Sequence, residues 1–239
     1  KRQLLPILPT LMDVLSTKSH MADQTDMKAK LITEFIGTFF LCLTICVAGA
    51  FCLSGSNAPF AIAGTLMVMI YAGAHVSGAH YNPAVTISIW IRGACGRSEV
   101  LPYVISQLAA GFLAALVAAN LIVTGSISED YPIEMFDPSG MAASIIVSEL
   151  LFTFALVFVI LNVATSKSNE GNGFYGAAIA LVVLAGALTV GSISLASFNP
   201  AVSLSLVVIG KMAFADLWLH LAPQLLGGGA ASLVFKWNN

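Results

Sequence analysis

The sequence predicts an all-α membrane protein with six transmembrane helices and two re-entrant half-helices, arranged as an inverted repeat. Three observations carry that prediction. The 239 residues are 58% hydrophobic and only 9% charged, against about 45–50% apolar and about 25% charged in ordinary soluble domains. Long apolar segments lie at about 31–53, 60–75, 100–124, 141–163, 174–193 and 213–235, each approaching the roughly 20 residues that a bilayer crossing needs. Two landmarks also recur in the same order in both halves of the chain. The composition excludes other classes as well. Ten Lys and Arg against twelve Asp and Glu leave a net charge of −2, so no basic face for nucleic acid can form. A chain this apolar is not disordered, and it has too few charges to cover a soluble surface.

Residues 1–29 form an N-terminal segment of different character. Leu4, Leu5, Ile7, Leu8, Leu11, Met12, Val14 and Leu15 lie beside Lys1, Arg2 and Lys18, a pattern that fits an interfacial amphipathic helix, a targeting remnant or an unstructured terminus. The membrane-embedded part covers 30–237, with one repeat at about 30–124 and the other at about 141–237. The first span carries Glu34 and the fourth carries Glu149, the acids within the spans. Two further apolar runs, at about 83–91 and 200–209, are too short to cross and fit re-entrant segments.

The repeat is visible residue by residue. Glu34–Phe40 resembles Glu149–Ala155, and Ala79–Val85 matches Ala196–Val202. Asn82 follows Glu34 by 48 residues (82 − 34), and Asn199 follows Glu149 by 50 (199 − 149). Three crossings and a half-span per unit put the second unit into the membrane from the opposite side, so the repeats are inverted. Alternating the spans gathers Lys28, Lys30, Arg92, Arg97, Lys167 and Lys236 on one face. Only Lys211 accompanies Glu129, Asp130, Glu134, Asp137 and Asp216 on the other. The positive-inside rule then places both termini in the cytoplasm. Stripes of small residues (Ala110, Ala114, Ala118; Gly111, Ala115, Ala119; Gly227–Ala230) suit close helix approach. Gln107 reads as an interhelix packing residue. Cys42, Cys46, Cys52 and Cys95 have no metal-like spacing and read as small buried hydrophobes.

The chemistry concentrates in two copies of Asn-Pro-Ala: Asn82-Pro83-Ala84 and Asn199-Pro200-Ala201. Proline suits the first position of a helix, and asparagine is a strong N-cap whose side-chain oxygen accepts a first-turn N–H. That leaves the amide NH₂ of each asparagine free as a donor. Two inverted half-helices meeting at the midplane would bring together both amides and both positive dipole ends. A water held there turns its oxygen toward the donors, which breaks a proton wire. Irregular backbone ahead of each half-helix is tolerable only where it lines a cavity.

Paired Asn-Pro-Ala half-helices within six spans resemble the aquaporin (major intrinsic protein) family, and Ser77–Thr86 follows its first signature closely. The resemblance covers about 30–237. It implies a passive, homotetrameric channel for water and small neutral solutes in a lipid bilayer, without cofactor or metal. It also implies that Glu34 and Glu149 each accept hydrogen bonds from the re-entrant loop of their own half, with His75 and His80 shaping the first loop. By spacing from the two asparagines, the family's selectivity constriction falls on Ile62, Ala187, Ala196 and Val202. Most members have arginine where this chain has Val202. Without that fixed guanidinium, a wider and less polar ring is expected to pass solutes such as ammonia, urea, hydrogen peroxide or glycerol. An apolar ring can also dewet, so a non-conducting structural or accessory subunit is the competing reading. No nucleophile–base pair, phosphate loop or metal cluster suggests an enzyme.

Overall fold

The computed structural model describes the backbone of residues 11–238 and the side chains of 27–238. The side chains on which an interfacial N-terminal helix rests lie outside the described residues. Among those residues there are nine α-helices and no strand: α1 (Leu11–Thr44), α2 (Ala58–Ser77), α3 (Pro83–Arg92), α4 (Arg97–Val117), α5 (Ser126–Asp130), α6 (Ala142–Ala164), α7 (Tyr175–Ser194), α8 (Pro200–Val208) and α9 (Trp218–Asn238). Helices α1 and α4 run on into π-helical turns at Ile45–Ala50 and Ala118–Ile122.

Five helices among the described residues, α1, α2, α4, α6 and α7, are long and apolar enough to cross a bilayer. The sixth expected span is α9, whose 21 residues give roughly the 30 Å of a membrane core at about 1.5 Å per residue. Its hydropathy is diluted by His220 and Gln224, yet both side chains are fully buried. The polar groups face the protein interior, which is where polar groups in a membrane helix belong. The span starts at Trp218 rather than 213, because Phe214–Asp216 forms a separate 3₁₀ turn.

Within each repeat the first helix packs on the third, α1 on α4 and α6 on α9. Each half-helix instead crosses to the other repeat: α3 lies against α9, and α8 against α4. Glycines permit both crossings. A Cβ on Gly111 of α4 would stand 2.6 Å from the Ala201 carbonyl oxygen. A Cβ on Gly228 of α9 would collide with the Ser88 hydroxyl and touch the Ala84 carbonyl oxygen at 3.5 Å. Gly227, on the next face of α9, abuts the Leu150 carbonyl of α6. Ala110, Ala114 and Ala115 are fully buried, so the small-residue stripes mark close backbone approach.

Candidate functional site

Each half-helix starts on its asparagine. The backbone of Asn82 (φ −159°, ψ 120°) and of Asn199 (φ −155°, ψ 117°) is extended, and proline follows at the first helical position. Asn82 Oδ1 accepts from the Ala84 and Val85 N–H groups at 2.8 and 3.4 Å, and Asn199 Oδ1 accepts from Ala201 N–H at 2.9 Å. The remaining amide hydrogens are not both free. Asn82 Nδ2 donates to the Phe198 carbonyl and Asn199 Nδ2 to the Tyr81 carbonyl, both at 2.9 Å. One N–H per asparagine is therefore spent on a reciprocal bond between repeats. The expectation of a wholly free NH₂ is corrected to a single remaining donor on each side.

Behind each asparagine sits a fully buried carboxylate. Glu34 accepts from Ser77 Oγ (2.7 Å), the backbone N–H of His80 (2.9 Å) and of Tyr81 (2.7 Å), and Gln107 Nε2 (2.8 Å). Glu149 accepts from Ser194 Oγ (2.8 Å), the N–H of Ser197 (3.1 Å) and of Phe198 (2.9 Å), Ser197 Oγ (3.3 Å) and Gln224 Nε2 (2.8 Å). Charge-assisted bonds of this kind offset the cost of burying an acid. In a trans peptide the carbonyl points opposite to the next residue's N–H. Because the N–H groups of His80, Tyr81, Ser197 and Phe198 face the glutamates, the carbonyls of Ala79, His80, Ala196 and Ser197 face the cavity those residues line. This turn is strained. Ala79, Tyr81, Leu195, Ala196 and Phe198 all have φ between 46° and 61°, at a cost of order 1–3 kcal/mol each.

Residues whose role was not apparent from the sequence complete both brackets. Gln107 bonds Thr86 Oγ1 at 2.9 Å as well as Glu34, so it is a hydrogen-bonding element rather than mere packing. Its mate Gln224 bonds Ser197 and Ser203 as well as Glu149. Tyr103 donates to the Ser77 carbonyl, and His220 Nε2 pairs with the Ser194 carbonyl, both at 2.9 Å. The available signal was the constant offset of 117 (199 − 82) between the second parts of the repeats, which maps Ser77 onto Ser194, Gln107 onto Gln224 and Tyr103 onto His220.

One cavity of about 820 Å³ extends from the α6–α7 connection past both asparagines and brings most of the sequence-predicted residues together. Asn82, Asn199, Ile62, Ala187, Ala196, Val202, His75 and His80 all line it. Glu34, Glu149, Pro83, Ala84, Pro200 and Ala201 do not; they are buried in the support behind it. His80 Nδ1 pairs with Thr86 Oγ1 at 3.1 Å and its ring stands 5.2 Å from Tyr103. His75 is exposed at the mouth formed by the α6–α7 connection. Arg92, at the end of α3, ties that connection down. Its Nε donates to Thr165 Oγ1 and its Nη2 to the Thr165 carbonyl, both at 3.1 Å, with the guanidinium 5.1 Å from the Phe235 ring. A smaller side pocket opens beside His80 and contains Lys30, bonded to Glu99 at 2.9 Å, and Cys95. Burial, with the Glu99 carboxylate alongside, pushes the Cys95 thiol up to about 12. The described residues contain no cluster of His, Cys, Asp and Glu suited to a metal ion.

A family model described as Major intrinsic protein matches residues 21–235. The chain is 33% identical over 227 residues to Aquaporin Z of Photorhabdus laumondii, a match covering 88% of this chain and 97% of that protein. It is 34% identical over 224 residues to Aquaporin NIP1-2 of Arabidopsis thaliana, covering 87% of this chain and 73% of that protein. Among solved structures, the aquaglyceroporin from Plasmodium falciparum has the same fold, with a TM-score of 0.73 at 24% identity, over 88% of this chain and 96% of that one.

Proposed function

The chain belongs to the major intrinsic protein family, and from that premise we propose that this multi-pass membrane channel carries water together with small neutral solutes while excluding protons and ions. The observation that carries the reading is the pair of N-capped half-helices meeting on one continuous cavity. Each asparagine has one amide N–H left after its bond to the opposite repeat. A water at that point turns its oxygen to both donors and cannot also accept a proton from the next water in file. The positive ends of α3 and α8 repel cations at the same place. Carbonyl oxygens of Ala79, His80, Ala196 and Ser197 replace lost hydration on either side of it.

Solute range is read from the constriction residues. Ile62, Ala187, Ala196 and Val202 offer no side-chain donor and no charge, so uncharged molecules larger than water meet no polar filter there. Ammonia, urea, hydrogen peroxide and glycerol are the candidates. The distribution of Lys and Arg supports cytoplasmic termini, and the family resemblance supports a homotetramer with one pore per subunit. Stopped-flow light scattering on proteoliposomes tests the solute reading. Fast water flux with urea, glycerol and ammonia flux above that of empty liposomes is expected. Native protein indistinguishable from an Ile62→Trp plugged variant for every solute would replace the channel with the structural-subunit reading.

A further inference from the structure

The repeat offset of 117 pairs the wall of the cavity with itself across the asparagine pair. Ile62 maps onto Ile179, Ala196 onto Ala79 and Val202 onto Val85, and the mate of Ala187 is Ile70. All eight residues line the cavity. They make two rings, an outer one of Ile62, Ala187, Ala196 and Val202, and an inner one of Ile179, Ile70, Ala79 and Val85 on the side of the basic face. With valine at 202 the rings differ at a single position, where the inner ring carries isoleucine and the outer ring alanine.

Accessibility separates them in the same direction. In the inner ring Ile70 is 3% exposed, Val85 2% and Ile179 6%, and the three belong to one contiguous apolar cluster, while Ala79 is half-buried like its mate Ala196. In the outer ring Ile62, Ala187 and Ala196 are only half-buried, and Val202 alone is buried. The bulkier ring is thus also the one with more buried side chains, three of four against one of four. No polar side chain belongs to either ring and each offers one cavity-facing backbone carbonyl, of Ala79 or of Ala196, so the rings differ in the size of the opening rather than in hydrogen bonding.

We propose that the size-selecting constriction of this channel is the inner ring, set by Ile70 and Ile179 on the cytoplasmic side of the asparagines, and that the outer ring is the wider of the two. This rests on the channel reading above and names the residues that limit its solute size. A solute that clears the outer ring still has to pass between two isoleucines, a valine and the Ala79 carbonyl.

The test is the urea-to-water permeability ratio of the full chain in proteoliposomes. Ile70→Ala is expected to raise the ratio several-fold, whereas Ile62→Ala raises it little. Ile179→Ala, on a different helix, is expected to act like Ile70→Ala and decides the matter if the latter does not reconstitute. Ala187→Ile, which gives the outer ring the inner ring's composition and adds a similar barrier in series, is expected to lower the ratio by less than Ile70→Ala raises it. A larger rise from Ile62→Ala than from Ile70→Ala and Ile179→Ala, or a sharp loss of urea flux in Ala187→Ile, overturns the assignment while leaving the channel intact. Absence of protein-dependent water flux in the native chain instead overturns the channel reading, and the ring assignment with it.

Discussion

Glu149 receives five hydrogen bonds from buried residues. Only an oxygen-bearing, acceptor-only group can satisfy that arrangement. In Glu149→Gln one oxygen becomes an NH₂ that faces donors, and each donor left unsatisfied in a buried site costs about 1–3 kcal/mol. The variant is expected to melt several degrees below the native protein in detergent and to lose most of its water flux. An unchanged melting temperature would mean that the loop holds its strained turn without the carboxylate. At this scale the sequence was partly legible. Asn82 and Asn199 announced themselves as N-caps because proline follows each of them. Gln224 and His220 did not, because a polar residue in an apolar helix can face a neighbour or a cavity, and only alignment with Gln107 and Tyr103 distinguishes the two. The reciprocal amide–carbonyl bonds were invisible, since they join residues 116 and 118 positions apart.

The half-helices are elements without a layer of their own. Helix α8 is nine residues long, too short to persist in isolation, and it is held by α4 at the spot where Gly111 meets the Ala201 carbonyl. Backbone cannot give way as a flexible side chain can, so Gly111→Val forces the two helices apart. The expected cost is at or above the typical 1–3 kcal/mol of overpacking. Thermal unfolding should drop accordingly, and Gly64→Val, where a Cβ meets nothing within 4 Å, serves as the neutral control. Equal melting temperatures for the two variants would show that α4 and α8 do not depend on this contact. The small-residue stripes made such contacts readable in advance. The π turns at Ile45–Ala50 and Ala118–Ile122 were not, because nothing in their composition departs from an ordinary apolar helix. They arise at the C-terminal ends of α1 and α4 and have no counterpart at the ends of α6 and α9.

The sidedness of the whole molecule rests on a few lysines. Lys167 sits on the α6–α7 connection, at the mouth shared with His75, while Lys211 donates to the Glu134 carbonyl at 2.9 Å and accepts from Phe136 N–H through its own carbonyl. With Cys52 and Cys95 replaced by serine, Lys211→Cys is expected to react with a membrane-impermeant maleimide on intact cells, and Lys167→Cys only after permeabilisation. The opposite pattern would invert the topology. The architecture itself was legible because hydropathy, loop charge and the repeat point to one answer, and α9 is the exception that hydropathy alone would have missed. One consequence of the crossed half-helices concerns how the chain is made. Ser232 donates to the Ser88 carbonyl across 144 residues, which a ribosome adding about 5–20 residues per second takes about 7–29 s to traverse. Throughout that interval α3 exists without the complete α9, and for most of it Asn82 is without Phe198. The N-terminal half therefore waits in the bilayer as an unfinished hemisphere, and the pore comes into being only as the last helix is released.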